Sequence, residues 1–520
     1  MEAEEESEDG YDETDSADLL TETDSFESSI QTTLGGLKVI PVAKPIPLSE
    51  IMGLPGSPAL GISRCMQIIG RDYCTKYDGI FRVNIVGKNY IVLSHPRFLQ
   101  TVLDDQTNFS TTNFLKESKQ ENLNNFDSKF ILNINYENNF SSIIQMMQEH
   151  ANELKNTPSP VDICSFWKKA VLTTVGKIIL NVDLFSKEWQ KFSSHIMTVI
   201  IDVPTRLFRG KKTSPLFKMK LKKSTKYLKK KMYEFILEKR AELDKKSVET
   251  YDIIDHFIKT VIKSAGGLKQ SKGMSGSSVY QTQHQLELRK LEAIGEKILF
   301  QIIQEYNTTA SMLSWAFNFL YDFSLGNSDI LQLLLIEIDN ISSSDSGYTP
   351  TLNDLITKMP LLTQVIKETL RFSPTCSTFI RFCKKSMNLG GEYAIKEGEV
   401  IIVSTIGTHL HPSCWENPKR FDPSRFDQPV KPYSYFPTNI VASSPGQVPE
   451  FTLLFGRIAL FTMLCNFSFT NSPMSNVKPD EGLFLFPSGN FFNFLFHQNA
   501  RPNLFSLFGH FRNIYKYGNV

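Results

Sequence analysis

The sequence predicts a mainly α fold with small β-sheets, an α+β arrangement, and three observations carry that reading. Apolar residues recur at helical spacing through most of the stretch from Pro96 to Ser386. The β signals are short and local: Ile80–Val86 with Tyr90–Leu93, and far downstream Val400–Ser404, all rich in β-branched residues. Hydrophobic content of 41% with 12% aromatic residues is that of a chain able to bury a core. A length of 520 residues would alone predict roughly three domains. The elements run in one unbroken order without an internal repeat, so one folded domain is expected over 36–520, after an acidic tail at 1–35.

The tail and the body carry opposite charge. Residues 1–27 hold thirteen Asp or Glu and no Lys or Arg, so a net charge of +1 leaves +14 on the remainder. A run such as Glu4, Glu5, Glu6, Glu8, Asp9 has too little apolar surface to offset the entropy of ordering, which predicts a disordered, solubilising tail. Behind it Pro41, Pro45, Pro47, Pro55 and Pro58 predict an extended lead-in over the surface. Ile80–Val86 and Tyr90–Leu93, joined through Gly87-Lys88-Asn89, read as a hairpin.

Between Arg206 and Lys246 lysines crowd among regularly spaced apolar residues, as in Lys218-Met219-Lys220-Leu221-Lys222-Lys223. The pattern predicts an amphipathic helix with a solvated basic face; attraction to an anionic membrane surface, or to the acidic tail, is the functional reading of the same charge. No nucleic-acid-reading motif accompanies it, so nucleic acid is not an expected partner. Ser264–Gln285, rich in Gly, Ser and Gln, reads as a flexible connection. A long central helix is expected over Leu286–Leu320, further helices over Asp329–Asn340 and Leu361–Phe372, strands around Val400–Ser404, and a last helix over Phe451–Cys465.

Seven scattered cysteines (Cys65, Cys74, Cys164, Cys376, Cys383, Cys414, Cys465), without a C-x-x-C pair, argue for a reducing compartment and against a disulfide framework or a metal-binding cluster. The acidic start carries no secretory or mitochondrial signal, and no window reaches the ~18 apolar residues of a membrane span. The expected location is therefore intracellular, soluble or peripherally membrane-associated.

Glu368-Thr369-Leu370-Arg371 sets a carboxylate and a guanidinium at i and i+3 on one helix face. About fifty residues later come His411-Pro412, Trp415-Glu416-Asn417-Pro418 and Phe421-Asp422-Pro423-Ser424-Arg425-Phe426. This order resembles the Glu-x-x-Arg helix and Phe-x-Pro-x-Arg-Phe meander of cytochromes P450. Gly53-Leu54-Pro55-Gly56, Tyr77-Asp78-Gly79-Ile80-Phe81-Arg82 and Ser94-His95-Pro96 match that family's lead-in and first sheet, so the resemblance spans about residues 50–500. It implies the cytochrome P450-like fold, a structural cluster of Glu368, Arg371 and Arg425, and Arg381 as a contact to a haem propionate. It implies haem as cofactor, a redox partner and monooxygenase chemistry. It also places Thr308, in Asn307-Thr308-Thr309-Ala310, at the family's oxygen-activating turn, where a threonine hydroxyl bonds back to the preceding turn and passes protons. The neighbours depart from the pattern: Asn307 stands for the acid and Glu305 for the small glycine.

The family's chemistry needs a cysteine thiolate on iron, which pushes electron density toward O–O cleavage. The loop that should supply it, Tyr433 to Glu450, has no cysteine. Counting back from the last helix puts Gly446 at the ligand position, and loop similarity allows Val448; neither has a donor atom. Cys414 and Cys465 lie on other elements, and no His occurs from 412 to 496. Tyr433 and Tyr435 remain as phenolate candidates. A second cofactor contact is also missing, because Phe126-Asp127-Ser128-Lys129-Phe130 lacks the family's Trp-x-x-x-Arg pair; Lys129 is a weak substitute. The expected function is a pseudoenzyme that has lost thiolate-haem chemistry and survives as a binding protein. The alternative is a haem-dependent monooxygenase of a small apolar substrate with an unusual iron ligand.

Overall fold

The computed structural model describes residues 38–44, 68–85, 88–105, 107–111, 137–158, 161–199 save 185, 188 and 197, 215–245 save 244, 253–266, 276–321, 328–342, 350–375, 378–436, 448–471, 478–479, 487–488 and 493–498. The acidic tail, most of the proline-rich lead-in, Phe126–Phe130, Cys65, Cys376 and Gly446 lie outside these residues.

The helical segments Ile69–Tyr73 and Cys74–Lys76 lead into β1 (Ile80–Ile85) and β2 (Lys88–Leu93). The hairpin is tighter than the sequence predicts: Ile85 already faces Lys88, and the Asn84 Nδ2 donates to Asn89 Oδ1 at 2.8 Å, which draws Lys88 and Asn89 into the strand. With β3 (Phe109–Thr111), β4 (Thr378–Cys383) and β5 (Val400–Ser404) these strands form one sheet in the order β1-β2-β5-β4-β3. The β2–β5 pair is parallel, Ile91 facing Ile401, and the other pairs are antiparallel. Alternate residues on this sheet feed two apolar clusters, one around Ile80, Leu93 and Val403, the other around Phe81, Val92 and Ile402.

Three smaller sheets, one of three strands and two of two, accompany a mainly helical remainder, whose principal helices are α1 (Pro96–Asp104), α2 (Phe140–Lys155), α3 (Ile163–Val175), α4 (Pro215–Leu243), α5 (Ile253–Gly266), α6 (Gly276–Tyr321), α7 (Ser328–Ser342), α8 (Pro360–Phe372), α9 (Thr405–His409) and α10 (Glu450–Asn466). Local chemistry sets several starts. Pro96 and Pro360 occupy the first helical turn, where the missing N–H is no loss. Asp162 caps α3 by accepting from the Cys164 and Ser165 N–H groups.

The 46-residue α6 is the axis of the helical part, packed by α3, α4, α5, α8 and α10. Its C-terminal half is buried on nearly every side, including Met312, Trp315, Phe317 and Leu320. It begins ten residues earlier than the sequence predicts: 276–285, expected as a connection, is helical. Beyond Gly276 that stretch has no Gly or Pro, so nothing stops a helix once the following turns anchor it. α10 comes so close to α6 and α8 that a Cβ on Gly456 would lie 2.8 Å from Met312 Cε and 3.0 Å from Ile366 Cδ1. A larger residue there would have to displace the ends of the Met312 and Ile366 side chains.

Candidate functional site

α8 carries Glu368 and Arg371 on one face, and both side chains are completely buried. Their pairing is bidentate: Arg371 Nε donates to Glu368 Oε2 at 2.7 Å and Nη2 to Oε1 at 2.8 Å. The Asp422 N–H adds a bond to Oε1 at 2.7 Å. Complete burial pushes the Glu368 carboxyl upward from the usual carboxylate range, and Arg371, the Asp422 N–H and Arg425 oppose it. The remaining Arg371 donors go to backbone: Nη1 to His409 O (2.8 Å) and Pro418 O (2.9 Å), Nη2 to Arg420 O (3.1 Å). The guanidinium also lies 5.3 Å from the Trp415 ring centroid.

Arg425 is the third member. It follows Pro423 in a short 3₁₀ turn capped by Asp422, and its Nε stands 3.5 Å from Glu368 Oε1. Its firmer bonds are to the backbone, from Nη2 to Asn417 O at 2.9 Å and from Nη1 to Glu416 O. The structure therefore brings Glu368, Arg371 and Arg425 together, and between them they hold the carbonyls of residues 416, 417, 418 and 420.

One member escaped the sequence reading. His409, on the last residue of α9, is fully buried; its Nδ1 lies 3.0 Å from Arg371 O and its Nε2 accepts from the Phe436 N–H at 2.7 Å. A carbonyl at one nitrogen and an N–H at the other fix the neutral imidazole with its proton on Nδ1. Burial and the neighbouring Arg371 charge push its pKa down to about 3. His409 thus ties α8 to Phe436, the last described residue before Val448. His411, which the sequence reading noted, instead faces Ser413 and Asp78.

The two phenols proposed as iron ligands are engaged elsewhere. The buried Tyr435 hydroxyl donates to Lys367 O at 3.0 Å, and burial, with Glu368 nearby, raises its pKa well above the ordinary value. Tyr433 donates to Asp104 Oδ2 at 2.5 Å, which pushes its pKa up to about 12. Neither is disposed to be a phenolate. Cys414 is half-buried beside Ser413, Cys465 is buried in the last turn of α10, and the five described cysteines are free thiols. Val448, just before α10, is buried.

Arg381 sits on β4 between Ile380 and Phe382, its residue 5% exposed. Nη1 donates to Ile380 O at 3.1 Å and the guanidinium lies 5.6 Å from the Phe379 ring, with no carboxylate partner among the described residues. Burial lowers its pKa to about 10. On α6, Thr308 is buried, Glu305 accepts from Gln301 Nε2 at 2.5 Å, and Asn307 Nδ2 donates to Ile303 O at 2.8 Å. The adjacent Thr309 hydroxyl meets that of Thr452 at 3.0 Å, joining α6 to α10.

This geometry has close relatives. Residues 116–437 match the Cytochrome P450 family. Human cytochrome P450 3A5 is 31% identical over 194 residues, and rat cytochrome P450 3A2 is 34% identical over 187. Those matches span about a third of either chain, 36% of the human protein and 35% of the rat protein. A cytochrome P450DA heme domain superposes with a TM-score of 0.67 at 16% identity, over 90% of this chain and 99% of that one. A buried Glu-x-x-Arg pair locked to its meander, in the family's fold and within the family's matched span, places the chain in the cytochrome P450 family.

Proposed function

We propose that the chain is a cytochrome P450-like pseudoenzyme: it keeps the family's framework and has lost thiolate-haem chemistry. The observation that carries this reading is the donor set. No cysteine occurs between Cys414 and Cys465, no histidine from 412 to 496, and the phenols of Tyr433 and Tyr435 are bonded to Asp104 and Lys367. The residues present therefore do not fit the iron of a haem. Glu305 and Asn307 support the same reading: a buried carboxyl side chain and an amide stand near Thr308 where the family uses a small residue and an acid. Reduced protein under carbon monoxide should lack the red-shifted Soret band of a thiolate ligand. Appearance of that band in recombinant protein defeats the reading.

One observation favours the alternative, a haem-dependent enzyme acting on a small apolar substrate with the help of a redox partner. Arg381 is a buried guanidinium without a counter-ion among the described residues, and an anionic propionate would supply one. Haem held by Arg381 without a thiolate would give binding without the family's oxygen chemistry, which keeps the pseudoenzyme reading ahead.

A peripheral contact with an anionic membrane belongs to the same proposal. No described helix is long and apolar enough to cross a membrane. At the start of α4, exposed Leu216 and Met219 share a face with exposed Lys220 and Lys223, apolar residues flanked by cations. Co-sedimentation with phosphatidylserine vesicles should fall at least several-fold for Leu216→Ser/Met219→Ser. Unchanged binding removes the membrane role of this face.

A further inference from the structure

An open groove of about 590 Å³ lies between the Ile69–Lys76 helical segments and the chain leading into the meander, lined by Arg71, Asp72, Lys76, Pro412, Lys419 and Arg420. Its charge has a structural cause. The carbonyls of Glu416, Asn417, Pro418 and Arg420 turn inward to Arg425 and Arg371, and the Lys419 and Arg420 side chains are left exposed on the other side. Lys76 and Arg71 face them from the helical segment, also exposed. Lys76, Lys419 and Arg420 make no ion pair among the described residues, and Asp72 is the one acid in the lining. Four cations around a cleft with one anion form a site for an acidic peptide.

The chain carries such a peptide, and its attachment lies on the same side of the molecule. Residues 1–27 hold thirteen Asp or Glu and no Lys or Arg. The chain becomes describable at Lys38, whose ammonium pairs with Glu392 at 2.9 Å; Glu392 meets Arg97 at 3.5 Å, and Arg97 meets Asp78 at 3.5 Å. Asp78 is two residues from Lys76, and its carboxylate is 3.8 Å from His411, next to Pro412. This relay leads from Lys38 to the rim of the groove. The ten residues between Glu27 and Lys38 span up to about 36 Å when extended. The basic helix α4 is the other candidate by charge, yet Lys229 and Lys230 there already pair with Glu296 and Glu234.

We propose that residues 1–27 dock as an acidic segment in the Arg71–Lys76–Lys419–Arg420 groove. Tethering makes the encounter intramolecular, so a contact of modest strength suffices. Zero-length carbodiimide cross-linking of the full chain, mapped by mass spectrometry, tests it. Carboxylates of 1–27 should couple to Lys76 and Lys419 at low salt, and Lys419→Glu/Arg420→Glu should remove most of the Lys76 product. Both side chains are exposed, and an unchanged melting curve checks that the variant folds. Separately, a synthetic peptide of residues 1–27 should bind the chain lacking that segment at least tenfold more tightly than the same chain with both groove residues reversed. Coupling chiefly to Lys220, Lys223 or Lys226, or peptide binding indifferent to the reversal, overturns the proposal.

Discussion

Arg371 and Arg381 are both buried arginines, and they are buried on opposite terms. Arg371 gives donors to both oxygens of Glu368 and to three carbonyls, and no other acceptor is needed. Among the described residues Arg381 has one bond, to the carbonyl of the preceding residue, and no carboxylate. The first charge is satisfied by the protein; the second is not. A guanidinium of the first kind serves the fold whatever becomes of the chemistry, whereas one of the second kind is a net burden unless an anion arrives. This difference separates an arginine that the fold must retain from one that it can lose.

The largest effect expected from that contrast is at Glu368. Glu368→Ala leaves Arg371 buried without its counter-ion and frees the Asp422 N–H, and breaking a buried pair in this way typically costs about 3–5 kcal/mol. Against a total stability of roughly 5–15 kcal/mol, the melting temperature should drop steeply. Thr308→Ala, measured beside it, should shift the melt little, since no described partner depends on that hydroxyl. A Glu368→Ala melt matching the parent would mean that the cluster does not hold the meander.

A smaller effect sharpens the same side of the comparison through pH. His409 is neutral in the folded state because Nε2 must accept from Phe436 N–H, and its folded pKa of about 3 lies below the ordinary 6.5. The unfolded chain therefore binds the extra proton first, and stability falls as pH drops from 6.5 toward about 3. The slope approaches about 1.4 kcal/mol per pH unit, or roughly 2 kcal/mol lost by pH 5. His409→Gln removes the titrating group, so it should start lower at pH 7 and flatten the acid limb of a urea-denaturation series. An acid limb of unchanged steepness would assign that loss to the carboxylates instead.

The sequence disclosed the frame better than the contents. Glu368, Arg371 and Arg425 were legible through the resemblance of Glu368-x-x-Arg371 and Phe421-x-Pro423-x-Arg425-Phe426 to the family's motifs. His409 was not, since nothing in Thr408-His409-Leu410-His411 says which imidazole turns inward; that depends on α9, five residues long, packing under α8. The start of α6 was missed because Ser- and Gln-rich text resembles a linker until tertiary packing extends the helix through it. Tyr433 and Tyr435 looked available because a sequence records a phenol and not its partner. The absence of a cysteine from 433–450 is plain in the sequence, and the geometry adds the hydrogen-bond partners of Tyr433 and Tyr435.

The smallest expected effect lies at Arg381, and it has the opposite sign. If this guanidinium is buried without compensation, removing its charge should relieve the folded state: Arg381→Met, which keeps the stem and its packing, should stabilise cofactor-free protein by roughly 1–2 kcal/mol. The burden should also ease in alkali. A folded pKa near 10, below the ordinary 12.5, means that the unfolded chain holds this proton longer, so the parent gains stability relative to Arg381→Met as pH rises through 10. Adding hemin separates the two readings of the site. If a propionate neutralises Arg381, ligand binding to the folded state raises the parent's melting temperature and not the variant's, and their order reverses. If both respond alike, Arg381 holds no propionate and the cofactor site has decayed on that side too. Should Arg381→Met instead destabilise the cofactor-free chain by as much as Glu368→Ala, the two arginines serve the fold equally, and the contrast between them is lost.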